Sequence, residues 1–458
     1  MKHSRSEVHC KTRKIPTLHF EDHALTSFSG LVVFQALFVR LGLKERLSRC
    51  FSHLPAGSIF GYHVIVLTLV VHLLLGYRRL RECESYKDDP MVKRLLGLSR
   101  LPEVATLSRA LAQADKRSVE KLRAVVWELA VQRLRSLKLR RVTLDFDGSV
   151  QSTSRWAEGV AVGFNKKKKG ARSYYPLFCT VAQSAQVLDV LHRPGNVHDS
   201  NGAQAFVLEC IGRLRQVLAG VIIEVRMDSA FFSRDMAEAL HTHRVEFTVS
   251  VPFERFSQLK AMIEGRLRWR RFSDEWSFFE TPWKPKSWNR RYRFVFLRHK
   301  VPQQHKEPIQ LDLFVPHQWG YEFKVILTNK RTRMKKVVAF HNGRGAQEKL
   351  FGELKSQCQM DYVPVRTLAG NQTYLLCTIL AHNRARELQM VADPPQRHTT
   401  EKRAPLWIFQ ELNTLRRHLI QRAGRFSWPQ GRLTLTLGLN DTVKATLLHY
   451  LGALGYQA

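Results

Sequence analysis

The sequence changes from helical to strand periodicity at Leu139, and the order of the strands after that point restricts the fold most. Alternating apolar and polar residues predict a first strand over 141–147. The same pattern predicts further strands over 159–164, 177–183 and 187–192. Strands that follow one another this closely pair antiparallel. We therefore expect the sheet to begin as a meander.

Helices and strands alternate after the meander. The periodicity predicts a helix over 200–218, a strand over 221–228, a helix over 233–242 and a strand over 245–251. An antiparallel meander followed by alternating α and β elements indicates a mixed sheet with helices on its faces. The predicted fold class is therefore mixed α/β.

The charge of the chain predicts a polyanionic partner. Lys and Arg number 73 against 39 Asp and Glu, so the formal net charge is +34. Nucleic acid is the first candidate for such a chain, ahead of an anionic membrane surface. A hydrophobic content of 44% excludes a mostly disordered protein. The sequence also lacks a glycine-rich nucleotide loop, so nothing in it suggests the use of ATP.

Periodicity and composition divide the chain into five parts. Residues 1–136 predict an all-helical N-terminal domain, and residues 137–251 hold the first part of the core sheet. Residues 252–335 are rich in Trp, Arg and Phe and predict a β-rich insertion. The core resumes over 336–392, and a helical region with a candidate role in dimerisation follows over 393–458. The charge and position of the N-terminal domain favour a role in DNA binding.

The cysteines and the apolar stretches predict a cytoplasmic protein without membrane contact. Seven scattered cysteines with no Cys-x-x-Cys pair argue against a disulfide framework and a structural zinc site. The N-terminus is charged but has no apolar run directly behind it, which argues against a secretory signal. The apolar stretch 59–77 contains His63 and His72, and we expect it to be a buried helix.

Three carboxylates stand at positions where sheet proteins bind ligands. Asp147 ends the first strand beside a Gly-Ser turn, Asp228 ends a later strand, and Glu348 lies on a predicted helix. Carboxylate oxygens suit hard cations such as Mg²⁺ or Mn²⁺, and a pair of such ions can promote phosphodiester displacement. Asp145 points to the same face as Asp147, so spacing alone leaves both residues open as the first carboxylate. The strand-end position favours Asp147.

The helix that carries Glu348 presents cations on the same side. At about 100° per residue, Arg344, Glu348 and Lys355 fall within roughly 40° of one another, whereas Glu353 points the opposite way. A solvated helix offers the same arrangement, because charge pairs four residues apart are common. The two strand-end aspartates favour a metal site with phosphate-binding side chains, and they leave Glu353 a structural role.

This arrangement resembles the DDE transposases of bacterial insertion sequences. The order strand-Asp, strand-Asp, helix-Glu is similar to theirs, and one large group has a Tyr-Arg-Glu-Lys signature. The present sequence has His341-x2-Arg344-x3-Glu348-x6-Lys355, with His341 in place of the tyrosine. Further blocks resemble this group over about residues 140 to 390: Leu144–Ser149, Gly163–Gly170, Leu191–Asp199, Met227–Phe231 and Leu368–Gln372.

The resemblance implies a fold, an activity and roles for the site residues. It implies an RNase H-like core, two divalent metal ions (Mg²⁺ or Mn²⁺) on Asp147, Asp228 and Glu348, and cleavage and strand transfer of DNA ends. Arg344 and Lys355 would bind phosphates, and His341 would donate to one. The implied partners are double-stranded DNA, as terminal inverted repeats and target, and further copies of the chain in a homodimer or larger synaptic complex. In a bacterial cell such a protein would associate with the nucleoid.

Two sets of residues between the motifs have both a structural and a DNA-binding interpretation. The basic run in the core predicts phosphate contact more than a solvated loop in a chain this basic; its members are Lys166, Lys167, Lys168, Lys169 and Arg172. The resemblance implies that aromatic residues of such an insertion brace a flipped base near a hairpin end. The candidates here are Trp276, Trp283 and Trp288, although most tryptophans in such strands are core residues.

Two other functions compete with a transposase. The first is an RNase H-like nuclease that cuts without joining, which a strand-transfer assay with pre-cleaved ends would separate. The second is a non-catalytic DNA-binding protein derived from a transposase. The complete carboxylate set and the Arg and Lys of the signature argue against this second function.

Overall fold

The computed structural model of the chain describes residues 15, 17–55, 59–163, 168–197, 202–301 and 320–457. Every element named below lies within these ranges. The predicted phosphate contacts of Lys166 and Lys167 fall outside the described residues.

The described N-terminal part is helical apart from one two-residue strand. Its elements are β1 (Leu25–Thr26), α1 (Leu31–Arg40), α2 (Leu43–Cys50), α3 (Tyr62–Leu75), a 3-10 helix (Leu80–Tyr86), α4 (Pro90–Leu96), α5 (Val104–Ala112) and α6 (Lys116–Leu137). Helix α3 is the apolar stretch of the sequence, and all its residues from Val64 to Leu75 are buried, as predicted. Within the described residues, no single helix passes a length and hydropathy test for crossing a membrane; only α3 and the 3-10 helix together pass it, with a 77° bend between them.

The centre of the molecule is a nine-stranded mixed sheet. The strands that follow the N-terminal helices are β2 (Arg141–Gly148), β3 (Gln151–Thr153), β4 (Ala161–Val162), β5 (Arg172–Tyr174), β6 (Leu177–Val181), β7 (Gln186–Leu191), β8 (Ile222–Met227), β9 (Glu246–Val251), β10 (Arg270–Arg271), β11 (Trp276–Trp283), β12 (Tyr292–Lys300) and β13 (Tyr321–Thr328). The large sheet has the order β10-β11-β12-β13-β9-β8-β2-β6-β7, and β2, β8 and β9 run parallel. Strands β3, β5 and β4 form a separate small sheet.

The predicted β-rich insertion continues the core sheet. Strand β13 pairs antiparallel with β9, with Thr328 opposite Thr248 and Val325 opposite Val251. Strands β12, β11 and β10 extend the sheet further on the same edge. The β-rich composition of this segment was predicted, whereas its union with the core sheet was not.

The two faces of the central sheet differ in chemistry. The helices after β7 are α7 (Ala203–Val217), α8 (Arg234–Thr242), α9 (Ser257–Glu264), α10 (Met334–Asn342), α11 (Gly345–Gln357), α12 (Leu368–Ala392), α13 (Leu412–Leu415) and α14 (Asp441–Ala453). Apolar residues of one face pack against α7 and α8, and the rings of Phe146 and Phe206 are 6.0 Å apart. The opposite face is polar and lies beneath α10 and α11, where Gln347 donates to the Asp145 carbonyl at 3.0 Å. The predicted mixed α/β fold class is thereby confirmed.

The C-terminal residues return to the N-terminal helices. Strand β14 (Gly424–Ser427) pairs with β1 on one side and with β15 (Thr434–Leu437) on the other. Helix α12 is buried along most of its length and packs against α3 and α6. Residues 393–458 therefore complete the same hydrophobic core as the N-terminal helices. The predicted role of this region in dimerisation stays a prediction.

Buried histidines predict a loss of stability at mildly acid pH. Burial lowers the pKa of His72 and His192 to about 4, and that of His382 to about 3, from 6.5. Below pH 6.5 the unfolded chain therefore binds protons that the folded chain does not, so the free energy of unfolding falls as the pH is lowered toward 4. Each of these groups should contribute about 2 kcal/mol of this loss between about pH 6.5 and pH 5.

Urea unfolding at about pH 7 and at about pH 5 measures this effect. His192→Phe is the informative variant, because both ring nitrogens of His192 are buried without a hydrogen-bond partner. The variant should lose less stability than the original protein over the same pH interval. An identical loss in both proteins would contradict the assignment to His192.

Candidate active site

The polar face of the sheet is built in layers by the parallel pairing of β2 and β8. Thr143 lies beside Glu224, and Asp145 lies beside Arg226. The last paired residues are Phe146 and Met227, so Asp147 and Asp228 occupy the next register positions. Because side chains alternate between faces, each of these pairs points to the same side of the sheet.

The first two layers neutralise their carboxylates with buried cations. Glu224 is fully buried and accepts from Lys330 at 2.7 Å and from Arg403 at 2.9 Å. Although burial raises the pKa of Glu224, hydrogen bonds from Arg403 and Lys330 lower it to about 2. In the next layer, Arg226 donates to both oxygens of Asp145 at 2.5 and 2.7 Å, and both side chains are buried.

The third layer brings two carboxylates to the ends of neighbouring strands. Asp147 Oδ1 accepts from the Gly148 N–H at 2.8 Å, and Asp228 Oδ1 accepts from the Ala230 N–H at 3.0 Å. These short local bonds hold each carboxylate at the turn that follows its strand. Adjacent positions of paired strands are about 5 Å apart, so two like charges at this distance favour a cation between or beside them.

Helix α11 brings the third predicted carboxylate to this end of the sheet. Arg344 Nη1 donates to Asp147 Oδ2 at 3.1 Å, and Arg344 Nη2 lies 3.9 Å from Glu348 Oε1. The Glu348 side chain is 69% exposed. The Arg344 guanidinium therefore links Asp147 at the end of β2 to Glu348 on α11. These are three of the site residues that the sequence predicted.

The junction between α10 and α11 sets the position of Arg344. A β-carbon at Gly343 would lie 1.9 Å from the Lys402 carbonyl oxygen and 2.1 Å from Arg226 Nη1. Arg226 also donates to the carbonyls of Phe340 at 3.1 Å and Lys402 at 2.8 Å. These close contacts leave no space for a side chain at position 343. The backbone conformation does not itself require glycine, since its φ of −60° is one that any residue adopts.

Lys324 is a site residue that sequence reasoning missed. It lies on β13, and its Nζ donates to Asn342 Oδ1 at 3.1 Å, just before α11. Burial lowers the pKa of Lys324; nearby Arg344 lowers it further, whereas Glu348 raises it. The alternation of residues 321–328 places Lys324 on the polar face. That pattern was the available signal, but it does not distinguish Lys324 from a surface lysine.

His341 occupies a different environment from the one predicted. Its ring is 1% exposed and is hydrogen-bonded to Thr248 Oγ1 at 3.0 Å and to Ser250 Oγ at 2.9 Å. Burial and the nearby cations lower the pKa of His341 well below its ordinary value. Both nitrogens are occupied on the sheet side of α10, so the structure does not place His341 where it could donate to a DNA phosphate. It connects α10 to β9 instead.

The remaining predicted residues lie at the surface or on the flanks of the site. Lys355 is half-buried on α11, two turns after Glu348, and Lys168, Lys169 and Arg172 are exposed. Glu353 lies on the buried side of α11 and accepts from the Leu412 N–H at 3.0 Å, consistent with its predicted structural role. Trp283 and Trp288 are core residues, and Trp276 stacks on His299 at 4.5 Å.

The carboxylate set fits hard cations in chemistry, although the described side chains do not form a closed ligand cage. Among the residues that the structure describes, no three His, Cys, Asp or Glu side chains are grouped closely enough to hold a metal ion. Asp147, Asp228 and Glu348 nevertheless supply only oxygen donors at one end of the sheet, which is the donor set that Mg²⁺ and Mn²⁺ prefer. The buried ion pair of Asp145 favours Asp147 as the first carboxylate.

Comparison with known proteins gave one family and several distant structures. The chain is similar to the piggyBac transposase synaptic complex with hairpin DNA, with a TM-score of 0.44 and 11% identity over 85% of this chain and 79% of that chain. It is also similar to the Mos1 transposase paired-end complex with left transposon end, with a TM-score of 0.18 and 14% identity over 37% of this chain and 56% of that chain. A search of curated protein sequences found no match.

The family comparison covers almost the whole sequence. The family described as "Transposase DDE domain group 1" matches residues 8–455. This range includes both strand-end aspartates, the helix that bears Glu348 and the C-terminal strands. The chain therefore belongs to group 1 of the transposases with a DDE domain.

Proposed function

We propose that this transposase cleaves the DNA ends of its own insertion sequence and joins the freed 3′-hydroxyls to target DNA, with Asp147, Asp228 and Glu348 as its catalytic carboxylates. The observation that carries this proposal is the third layer of the polar face. There, two aspartates lie side by side, and Arg344 links one of them to Glu348. Each of the two deeper layers also contains a carboxylate, but buried cations neutralise it inside the protein.

The three carboxylates would hold two divalent ions, Mg²⁺ or Mn²⁺. Bound there, such ions supply an activated oxygen nucleophile and stabilise the leaving oxygen of the displaced phosphodiester. Asp147 Oδ1 and Asp228 Oδ1 each accept a backbone N–H, which restrains both carboxylates at the turns that follow their strands. Glu348 is exposed on its helix and therefore accessible from solvent.

Arg344 and Lys324 would bind the phosphate at the reacting bond. The Arg344 guanidinium already spans the gap between Asp147 and Glu348 and can offer its planar fork to phosphate oxygens. Lys324 contributes a point charge from β13, which β9 separates from β8 in the sheet. Lys355, two turns along α11, would contact a more distant phosphate. Double-stranded DNA and a second copy of the chain, in a dimer or larger synaptic complex, are the proposed partners.

The experiment that tests this function uses the full chain and the DNA that flanks its coding region. Short inverted repeats bounded by a target duplication are expected there. Duplexes with those ends should be nicked in Mg²⁺ or Mn²⁺ but not in EDTA, and pre-cleaved ends should be joined to plasmid DNA. Cleavage without joining would support a nuclease. Cleavage that is indifferent to metal, or DNA binding without any cleavage, would overturn the proposal.

Arg344→Lys and Lys324→Met should each slow cleavage by about tenfold to a hundredfold while DNA binding changes less. Arg344→Lys retains the charge but loses the fork that reaches two carboxylates at once. Single-turnover rates at saturating protein, compared with dissociation constants measured without metal, separate these effects. Lys349→Met is the matched control, because Lys349 is an exposed neighbour of Glu348 on α11. Unchanged single-turnover rates in both site variants would refute this role.

A further inference from the structure

A basic groove lies apart from the carboxylate site, between the N-terminal helices and the small sheet. This open groove has a volume of about 660 Å³. Its walls are the 3-10 helix Leu80–Tyr86 with the residues before it, the start of α5, the end of β3 and residues 361–364. The function derived above does not use this groove.

The groove concentrates positive charge around small hydroxyl groups. Its lining includes Arg78, Arg79, Arg81, Arg155 and Lys168, and all of them except half-buried Arg78 are exposed. Asp361 is the acidic residue among the lining residues, and it forms an ion pair with Arg78 at 3.1 Å. Clustered like charges repel, so such a groove is stabilised by a polyanion whose counterions are released on binding.

The groove is connected through β3 and α11 to the carboxylate site, so a DNA strand that leaves that site can reach it. Strand β3 begins three residues after Gly148, and Gln151 Nε2 donates to the Met360 carbonyl at 2.7 Å. Met360 follows α11, so one end of the groove is anchored at the C-terminal end of the helix that bears Glu348. From Glu348 to Gln357 the helix rises about 14 Å. That distance is roughly four nucleotides of a duplex strand.

We propose that this groove is a second DNA-binding site, which holds the sugar-phosphate backbone a few nucleotides from the phosphate at the carboxylates. This inference rests on the proposed function, which identifies the polyanion as DNA. Arg79, Arg81 and Arg155 bind phosphate oxygens, and the hydroxyls of Ser152 and Ser154 donate to the same backbone. Lys355 lies on α11 between the two sites.

An exposed tryptophan extends the proposal to a base. Trp156 follows Arg155 directly and is 61% exposed, unlike Trp283 and Trp288 of the insertion, which are buried. An exposed indole beside a phosphate groove offers a stacking surface for an unpaired base, and such stacking contributes about 1–3 kcal/mol. We therefore assign the base-stacking role to Trp156 and not to the insertion tryptophans, for which the sequence had favoured a core position.

The first test measures the salt dependence of DNA binding. The full chain carrying Arg79→Ala, Arg81→Ala and Arg155→Ala is compared with the original protein on a labelled duplex from the end of the element. The slope of log K against log salt should decrease in magnitude by about 2–3, because each lost phosphate contact contributes about 0.9. A control triple variant replaces exposed cations of elements that do not line the groove, Arg417, Arg432 and Lys444, with Ala. An unchanged slope in the groove variant, or an equal change in the control, would overturn the proposal.

The second test uses Trp156 and Trp428, the two most exposed tryptophans among the described residues, as a matched pair. Trp156→Ala should weaken binding to a duplex with an unpaired base near its cleaved end by about tenfold to a hundredfold. Trp428→Ala should leave that binding unchanged, because Trp428 is similarly exposed, at 63%, but is not next to a groove residue in the sequence, whereas Trp156 directly follows Arg155. A 2-aminopurine at the unpaired position should be quenched by the original protein and not by Trp156→Ala. Quenching that persists in the variant would exclude the stacking contact.

Cleavage assays separate failure of the groove from failure of the proposed function. If the protein cleaves its ends but the groove variant keeps the full salt slope, the groove proposal is wrong and the function stands. If the protein binds DNA through the groove but does not cleave in any metal, the function is wrong and the groove stands. Tighter binding to RNA of the same sequence would reject DNA as the ligand of the groove.

Discussion

Replacing Asp147 or Asp228 with Asn, or Glu348 with Gln, is expected to reduce the rate of DNA-end cleavage by at least about a hundredfold. Each substitution keeps the size of the side chain but removes the charge that a divalent ion requires. Changes to residues that merely orient metal ligands cost about tenfold to a hundredfold, so loss of a ligand should cost at least the upper part of that range. The measurement is a single-turnover nicking assay in Mg²⁺ and in Mn²⁺.

The three variants should still fold and bind DNA. Asp147 and Glu348 are partly or largely exposed, with side-chain exposures of 19% and 69%. Their loss should therefore change the free energy of unfolding by no more than about 1 kcal/mol. Glu322→Gln provides a matched control, because Glu322 is an exposed carboxylate on β13 of the same sheet. A triad variant that cleaves as fast as this control would remove that residue from the catalytic set.

Asp145→Ala is expected to cost about 3–5 kcal/mol of folding free energy, far more than Asp147→Asn. The Asp145 carboxylate is the bidentate partner of Arg226, which is completely buried. Removing it leaves an uncompensated guanidinium inside the protein, whereas the side chains of Arg344 and Asp147 are 20% and 19% exposed and can be reached by water. Urea unfolding followed by circular dichroism at about pH 7 should reveal the difference as a large shift of the midpoint.

A double-variant cycle isolates the ion pair. Asp145→Ala and Arg226→Met should each be strongly destabilising, and the double variant should cost less than the sum of the two. The same cycle on Asp147 and Arg344 should give a coupling energy of about 1 kcal/mol or less. Equal coupling energies for the two pairs would show that both aspartates are structural.

The order of secondary structure could be predicted because it depends on local periodicity. The strand predicted over 141–147 is β2 at Arg141–Gly148, and the strand predicted over 245–251 is β9 at Glu246–Val251. The apolar stretch forms a buried helix because its own side chains are apolar nearly all the way round the helix. The union of the insertion with the core sheet could not be predicted, because the pairing of Thr328 with Thr248 joins residues 80 apart in the sequence.

Sequence alone predicted the three carboxylates, and it determined the side of the helix on which Glu348 lies. Strand alternation and helical rotation are properties of the local backbone, so they hold before any tertiary contact forms. Local geometry leaves Asp145 and Asp147 equivalent, because both point to the same face. Only the tertiary structure separates them, since parallel β8 puts a buried arginine beside Asp145 and a second aspartate beside Asp147.

The same division explains His341 and Lys324. The signature spacing placed His341 among residues that bind phosphate, but the packing of α10 on β9 gives both ring nitrogens to Thr248 and Ser250. Lys324 has no motif around it, and it joins the site because β13 pairs with β9 and brings it to Asn342. The sequence determined which chemical groups are available at this end of the sheet. Long-range strand pairing and burial decided which of them remain open to DNA and which are neutralised inside the protein.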